Sequence, residues 1–180
     1  RRTDLTRTRY YDSDLTGAAF VGVQGLDVTF GRSVLADADF TEARFRRTDF
    51  EEIDLTRAKI GKTTFQACDL TGTNLAGRDL SGCDFTDARL MQADLSGTRW
   101  TRARASGCDF SSSNLRGADL SGLEAATADF ARADLTGAKL TGGRFTDSCF
   151  EEALLMKADF TRCELTRGDF HKADARSAVF

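Results

Sequence analysis

The sequence predicts an all-β solenoid, a chain wound into a four-sided coil with no inserted loop. Three observations predict it. Every phenylalanine falls at a position divisible by five, the same residue types recur at twenty-residue steps, and proline is absent from all 180 residues.

The five-residue period comes first. Fourteen phenylalanines, from Phe20 to Phe180, share one phase, and Trp100 and most leucines share it too. These positions are called centres here. Gly25, Ala105, Ala125 and Ala175 are the small exceptions, and the phase never slips between Leu5 and Phe180. Two residues before a centre the side chain is small, as at Ala38, Cys83 and Ala158. One residue before it Asp dominates, as at Asp79, Asp94 and Asp119. Two residues after it Gly recurs, as at Gly72, Gly97 and Gly137. A period of five is neither the 2.0 of a strand nor the 3.6 of a helix. Three extended residues followed by a two-residue corner satisfy it. Alternation in the extended part then turns the small residue and the centre inward and the Asp outward. Gly and small polar residues supply the corner.

The twenty-residue step sets the number of units per turn of the coil. Leu15, Leu35, Leu55, Leu75, Leu95, Leu115, Leu135 and Leu155 form one column, broken only by Ala175. Tyr10, Phe30, Phe50, Phe110, Phe130, Phe150 and Phe170 form a second, with Leu70 and Leu90 between them. Outward charges alternate along Asp39, Lys59, Asp79, Arg99, Asp119, Lys139 and Asp159, and again along Asp84, Arg104, Glu124, Arg144 and Glu164. Opposite charges facing each other across a ladder are favourable. Four units per coil account for all these columns and give about nine coils, a rod ~40 Å long at the strand spacing.

Composition narrows the function. A formal net charge of −3 and a sequence pI near 5.3 argue against a surface that binds nucleic acid directly. No apolar run approaches the ~18–20 residues that span a bilayer, so no membrane partner is expected. The absence of proline fits a chain with almost no loops. Residues 1–180 read as one domain. The chain starts at Arg1, which is compatible with a segment of a longer protein.

The runs Ala93-Asp94-Leu95-Ser96-Gly97, Ala118-Asp119-Leu120-Ser121-Gly122 and Ala133-Asp134-Leu135-Thr136-Gly137 resemble the consensus of the pentapeptide-repeat family, and the resemblance covers the whole chain. It implies a right-handed quadrilateral β-helix. Members of that family include fluoroquinolone-resistance proteins that bind DNA gyrase, toxin-immunity proteins and secreted effectors, so the fold does not select the function. Topoisomerase-protecting members often carry projecting loops and a C-terminal dimerisation helix, and this chain shows neither. A loop-free mycobacterial relative is thought to mimic DNA.

Residues that could carry chemistry have structural explanations. His171, the only histidine, sits at an outward corner with no nucleophile or acid arranged around it. Glu51-Glu52 and Glu151-Glu152 fall at outward corners of a convex rod, which offers no pocket for acid–base work. Cys68, Cys83, Cys108 and Cys163 occupy the inward small position, and Cys149 points outward without a cysteine in its own column. Cys68 and Cys108 are two coils apart, too far to bridge. Free thiols suit a reducing, cytoplasmic setting; a secreted effector module is the other setting the sequence allows. The steps Thr71-Gly72 and Ser81-Gly82 lead into no helix and read as corners, not phosphate loops. Ala125 follows an inward Leu123, Ala105 follows the bulky Trp100, and Gly25 is expected to mark a distorted coil. No catalytic, metal-binding or cofactor-binding residue is expected.

The acidic surface is the feature with a functional edge. The Leu column carries Asp54, Asn74, Asp94, Asn114 and Asp134 on its outer side. The aromatic column carries Asp49, Asp69, Asp109 and Asp129, with Glu51, Glu52, Glu151 and Glu152 at its corners and Arg89 interrupting. Asp54, Asp94, Asp109, Asp129 and Asp134 are the candidate partner-binding residues. The first expectation is a non-catalytic protein-interaction, scaffold or spacer module of a larger protein, its protein partner unspecified. The alternative is a DNA mimic that binds and protects DNA gyrase. Neither end shows the cap a solenoid needs, which favours flanking domains or end-to-end association.

Overall fold

The computed structural model describes residues 3–180. Every backbone bridge among them is parallel and joins positions twenty apart, as in Asn74↔Asp94↔Asn114↔Asp134. Outside the three short strands below, the bridged residue is the one before a centre. Four parallel ladders result, which run through Asp84, Asp109, Asp94 and Asp119 and their equivalents. The described residues are all-strand with no helix, so none among them is long and apolar enough to cross a membrane. The extended part of most units is short, and only three strands exceed a single bridge: β1 (Gln24–Leu26), β2 (Arg44–Arg46) and β3 (Thr64–Gln66), paired in that order.

Why this coil is stable follows from accounting for five N–H groups per unit. In residues 115–119, Leu115 N–H donates to the Asp134 carbonyl (2.8 Å) and Gly117 N–H to Thr136 (3.0 Å), both one winding ahead. Asp119 N–H donates back to Thr98 (2.8 Å), and Ala118 N–H closes the corner on Leu115 (3.1 Å). The fifth donor, Arg116 N–H, finds no backbone acceptor. It donates to the side-chain Oδ1 of Asn114 (3.2 Å). The next unit repeats the scheme, with Ser121 N–H on Asp119 Oδ1 (3.1 Å).

Among the described residues the second corner residue takes positive φ at every unit except that of Arg57. Gly117 (φ 63°) and Gly137 (φ 69°) do so, and so do Arg132 (φ 59°) and Glu152 (φ 56°). Left-handed backbone costs an L-residue roughly 1 kcal/mol, so glycine recurs here for relief without being obligatory.

All centres from Phe20 to Phe160 are buried. Like rings stack along the columns: Phe110–Phe130, Phe130–Phe150 and Phe150–Phe170 have centroids 4.7, 4.9 and 4.8 Å apart, almost coplanar. That is the ladder spacing, and it is also a favourable aromatic separation. Inward hydroxyls are satisfied locally: Thr73, Thr98 and Ser113 donate to the carbonyls of Leu70, Leu95 and Phe110. Trp100 Nε1 donates to Thr98 Oγ1 (2.8 Å).

The small centres are filled by neighbours. Trp100 lies against Phe85, at 4.8 Å between centroids, beside fully buried Ala105. Leu123 is fully buried next to Ala125. Gly25 departs from expectation. It lies in regular strand β1, opposite Phe45, and a Cβ there would come within 2.7 Å of the Phe45 ring. The glycine makes room for that ring, so no distorted coil is needed. All five cysteines are free thiols, and burial pushes Cys68 up to about 12 and Cys83 up to about 11.

Leu95 is fully buried in the Leu column. Leu95→Asp is expected to lose several kcal/mol, because an unpaired carboxylate is costly in an apolar interior. Thermal melting followed by far-UV circular dichroism checks this; a melting temperature equal to that of the native protein contradicts it.

Candidate functional site

The Asp before each centre is outward but not free. Its Oδ1 accepts the N–H of the residue two places on, the donor that the backbone leaves over. Asp54 accepts from Thr56 (2.9 Å), Asp94 from Ser96 (3.0 Å), Asp109 from Ser111 (2.9 Å), Asp129 from Ala131 (2.8 Å) and Asp134 from Thr136 (2.9 Å). The carboxylate folds over its own corner, which leaves Asp94, Asp109, Asp129 and Asp134 half-buried and Asp54 exposed. Each side chain is thereby fixed in direction, with its second oxygen left over from the cap.

The structure brings four of the five candidates together. Asp109 and Asp129 are bridged neighbours in one ladder, and Asp94 and Asp134 flank Asn114 in the ladder beside it. Asn114 Nδ2 donates to Asp94 Oδ1 (3.1 Å), so an amide between two carboxylates turns repulsion into a hydrogen bond. Asp54 stands two winding steps before Asp94, separated by Asn74.

The acidic area is smaller than the sequence suggests. Arg116 Nη1 lies 2.9 Å from Asp134 Oδ2, and Arg89 lies 3.6 Å from Asp69. Glu152 is held between Arg132 (3.0 Å) and Lys172 (3.5 Å), which together keep its carboxyl below the usual range. Asp54, Asp94, Asp109 and Asp129 have no cationic side chain within 4.0 Å among the described residues. The two alternating ladders pair in part: Lys59–Asp39, Arg99–Asp79, Arg104–Asp84 and Arg144–Glu164 are in contact.

Sequence reasoning missed a further set of ion pairs at the second corner residue. Arg47–Asp27 (2.8 Å), Arg57–Asp37 (2.5 Å), Arg32–Asp12 (3.1 Å) and Arg167–Asp147 all join positions twenty apart. Sorting the corner residues at twenty-residue steps, as was done for the ladders, finds all four. His171 is exposed at a corner. Depressions on the surface are shallow. One is lined by Asp4, Gln24, Gly25, Arg44, Phe45 and Thr64 on the β1–β3 sheet, and none of the five candidate carboxylates lines it.

Comparison with known proteins adds the following. The family model of pentapeptide repeats matches in eight copies over residues 33–72, 48–87, 68–99, 88–122, 126–151 and 145–180. Among solved structures, the chain is similar to HetL, a pentapeptide repeat protein involved in heterocyst differentiation regulation from the cyanobacterium Nostoc sp. strain PCC 7120. The two are 25% identical with a TM-score of 0.65, over 98% of this chain and 91% of that one. It also shares a fold with QnrB1, a plasmid-mediated fluoroquinolone resistance protein, at 20% identity and a TM-score of 0.53, over 99% of this chain and 89% of that one. No match was found among curated proteins.

The capping role of Asp carries a stability prediction. Asp119 is held below its ordinary 3.8 chiefly by its hydrogen bonds to Ser121, and Asp79 likewise by those to Ser81. Burial raises Asp84 and Asp134, but their bonds to Thr86 and Thr136 and the nearby Arg104 and Arg116 outweigh it and lower both. A carboxyl depressed in the folded state stabilises the fold above its unfolded value. That stabilisation is lost as pH falls through the folded value, so the melting temperature is expected to hold near neutrality and to drop below about pH 4. Asp119→Asn keeps the acceptor and is expected to cost under about 0.5 kcal/mol, whereas Asp119→Ala costs about 1 kcal/mol. Urea denaturation of the two variants separates them; equal losses would remove the capping role.

Proposed function

Since the chain belongs to the pentapeptide-repeat family, we propose that it is a non-catalytic protein-interaction or scaffold module, a single solenoid over residues 1–180 that displays fixed side chains to a protein partner in the cytoplasm. The observation that carries this reading is the double anchoring of the surface. The backbone is tied at twenty-residue steps, and the outward carboxylates are tied again to the corner N–H groups. A partner then meets groups that lose little freedom on binding, which is what makes a preorganised surface effective. The twenty-residue pairing with a corner every five residues supports a quadrilateral β-helix of about nine coils, right-handed as the family resemblance implies. No cofactor is assigned. The involvement of HetL in the regulation of differentiation supports a binding role over a catalytic one.

The second reading is a DNA-mimicking, gyrase-binding protein. Its specific support is the cation-free set Asp94, Asp109 and Asp129 on neighbouring ladders, with Asp134 beside it. An elongated row of fixed carboxylates suits a basic groove, and the attraction weakens with salt over a Debye length of about 10 Å at 0.1 M.

One titration tests both readings. The scaffold reading expects no effect of the purified domain on supercoiling by gyrase at large molar excess. Inhibition or protection that vanishes when Asp94, Asp109, Asp129 and Asp134 are all changed to Asn, but survives exchange of Asp79 with Arg99, establishes the mimic instead. Asn is the right replacement because it removes charge and keeps the Oδ1 acceptor. In-cell crosslinking from position 94 or 129 is expected to capture one protein partner; capture of none overturns the scaffold reading.

A further inference from the structure

Arg78 occupies the inward small position, where every other residue of its column is Ala or Thr: Ala38, Ala58, Thr98, Ala118, Ala138 and Ala158. An arginine is far larger than the space that an alanine column leaves. The structure shows where the excess goes. The side chain is half-buried, its Nη1 donates to the Thr56 carbonyl one winding back (2.8 Å), and its Nε is buried without a partner.

The backbone around it lacks ties that most of the rod makes, and the same set is absent between residues 32–37 and 51–56, where Ile53 fills the equivalent inward position. The forward bonds that Arg57, Ile60 and Lys62 N–H should make to residues 76, 79 and 81 are absent, and so is the return bond from Asp79 N–H to Ala58. The bridge between positions 59 and 79 is missing accordingly. The equivalent bonds one winding on are in place: Gly77 to Ser96 (2.8 Å), Leu80 to Arg99 (2.8 Å) and Gly82 to Thr101 (3.0 Å). Opening is confined to one side. The neighbouring ladders hold across the same level, through Leu55 N–H to Asn74 (2.9 Å) and Phe65 N–H to Asp84. Thr56 has lost its usual donor, Asp37 N–H, and takes the guanidinium in its place. Asp37 and Arg57 stay joined through their side chains.

We infer that Arg78 is a wedge that props open a one-sided seam between residues 57–62 and 76–81, and that the rod bends there. The three intact ladders act as the hinge, and the open ladder allows the two flanking blocks to rock. A uniform solenoid distributes bending over its whole length, whereas missing bonds concentrate it where they are missing. The hinge adjusts the angle between the part that carries Asp54 and the part that carries Asp94, Asp109, Asp129 and Asp134. It does not depend on which partner binds.

Residue-resolved amide hydrogen exchange tests the seam. In the native protein, the amides of Ile60 and Asp79 are expected to exchange at least ~10-fold faster than those of Leu80 and Arg99, which hold the same places one winding on. Arg78→Ala restores the residue found throughout the column, so the fold is retained. It is expected to slow Ile60 and Asp79 to the rate of their equivalents and to raise the melting temperature. Equal exchange at the two levels in the native protein overturns the seam. Unchanged exchange in Arg78→Ala overturns the wedge.

Discussion

The hydrogen-bond needs of the five-residue unit govern this molecule. Four of its five N–H groups find carbonyls, three of them across windings and one within the corner, and the fifth is left over at the first corner residue. An unpaired backbone donor costs about as much as a lost hydrogen bond, so the unit calls for an acceptor one residue before the centre. Asp and Asn reach that donor with a short side chain. The most frequent residue of the repeat is therefore a backbone cap first and a surface charge second. The positive φ of the second corner residue follows from the same closure, since the chain must turn within two residues to bring the next extended piece into register.

Inside the coil, the twenty-residue register forces like to stack on like. A ring placed at one level meets a ring at the next at the ladder spacing, as in Phe110, Phe130, Phe150 and Phe170. Volume is balanced locally, between neighbouring units, within a unit or between windings. Trp100 lies beside Ala105, Leu123 beside Ala125, and the Phe45 ring fills the space above Gly25. Arg78 is a position where that balance fails, and the ladder opens at its level.

On the outside, the same register makes charge a matter of columns. Residues twenty apart face each other, so opposite signs pair, as in Arg47–Asp27 and Arg144–Glu164; Asn separates the carboxylates of the Leu column, whereas Asp109 and Asp129 face each other directly. Of the candidate carboxylates, Asp94, Asp109 and Asp129, with Asp54 further along, remain without a cation, and Asp134 is paired with Arg116. Exposed ion pairs contribute about 0–1 kcal/mol each, so the pairing matters more for the shape of the surface potential than for stability.

The sequence by itself determined the winding. A side chain that must be buried at every fifth residue, in one unbroken phase from Leu5 to Phe180, leaves no other periodic structure, and the Leu and aromatic columns set the step at twenty residues. The candidate carboxylates and their columns were legible for the same reason, because outward positions are also periodic. Only the tertiary structure decided what those carboxylates do. Whether an Asp is bound by its own corner, by Arg116 from the preceding winding or by nothing depends on distances across windings, which a linear pattern does not contain. The role of Gly25 and the consequence of Arg78 belong to the same class: each depends on how much space the neighbouring windings leave, and volume in a packed core is a property of several chain segments at once.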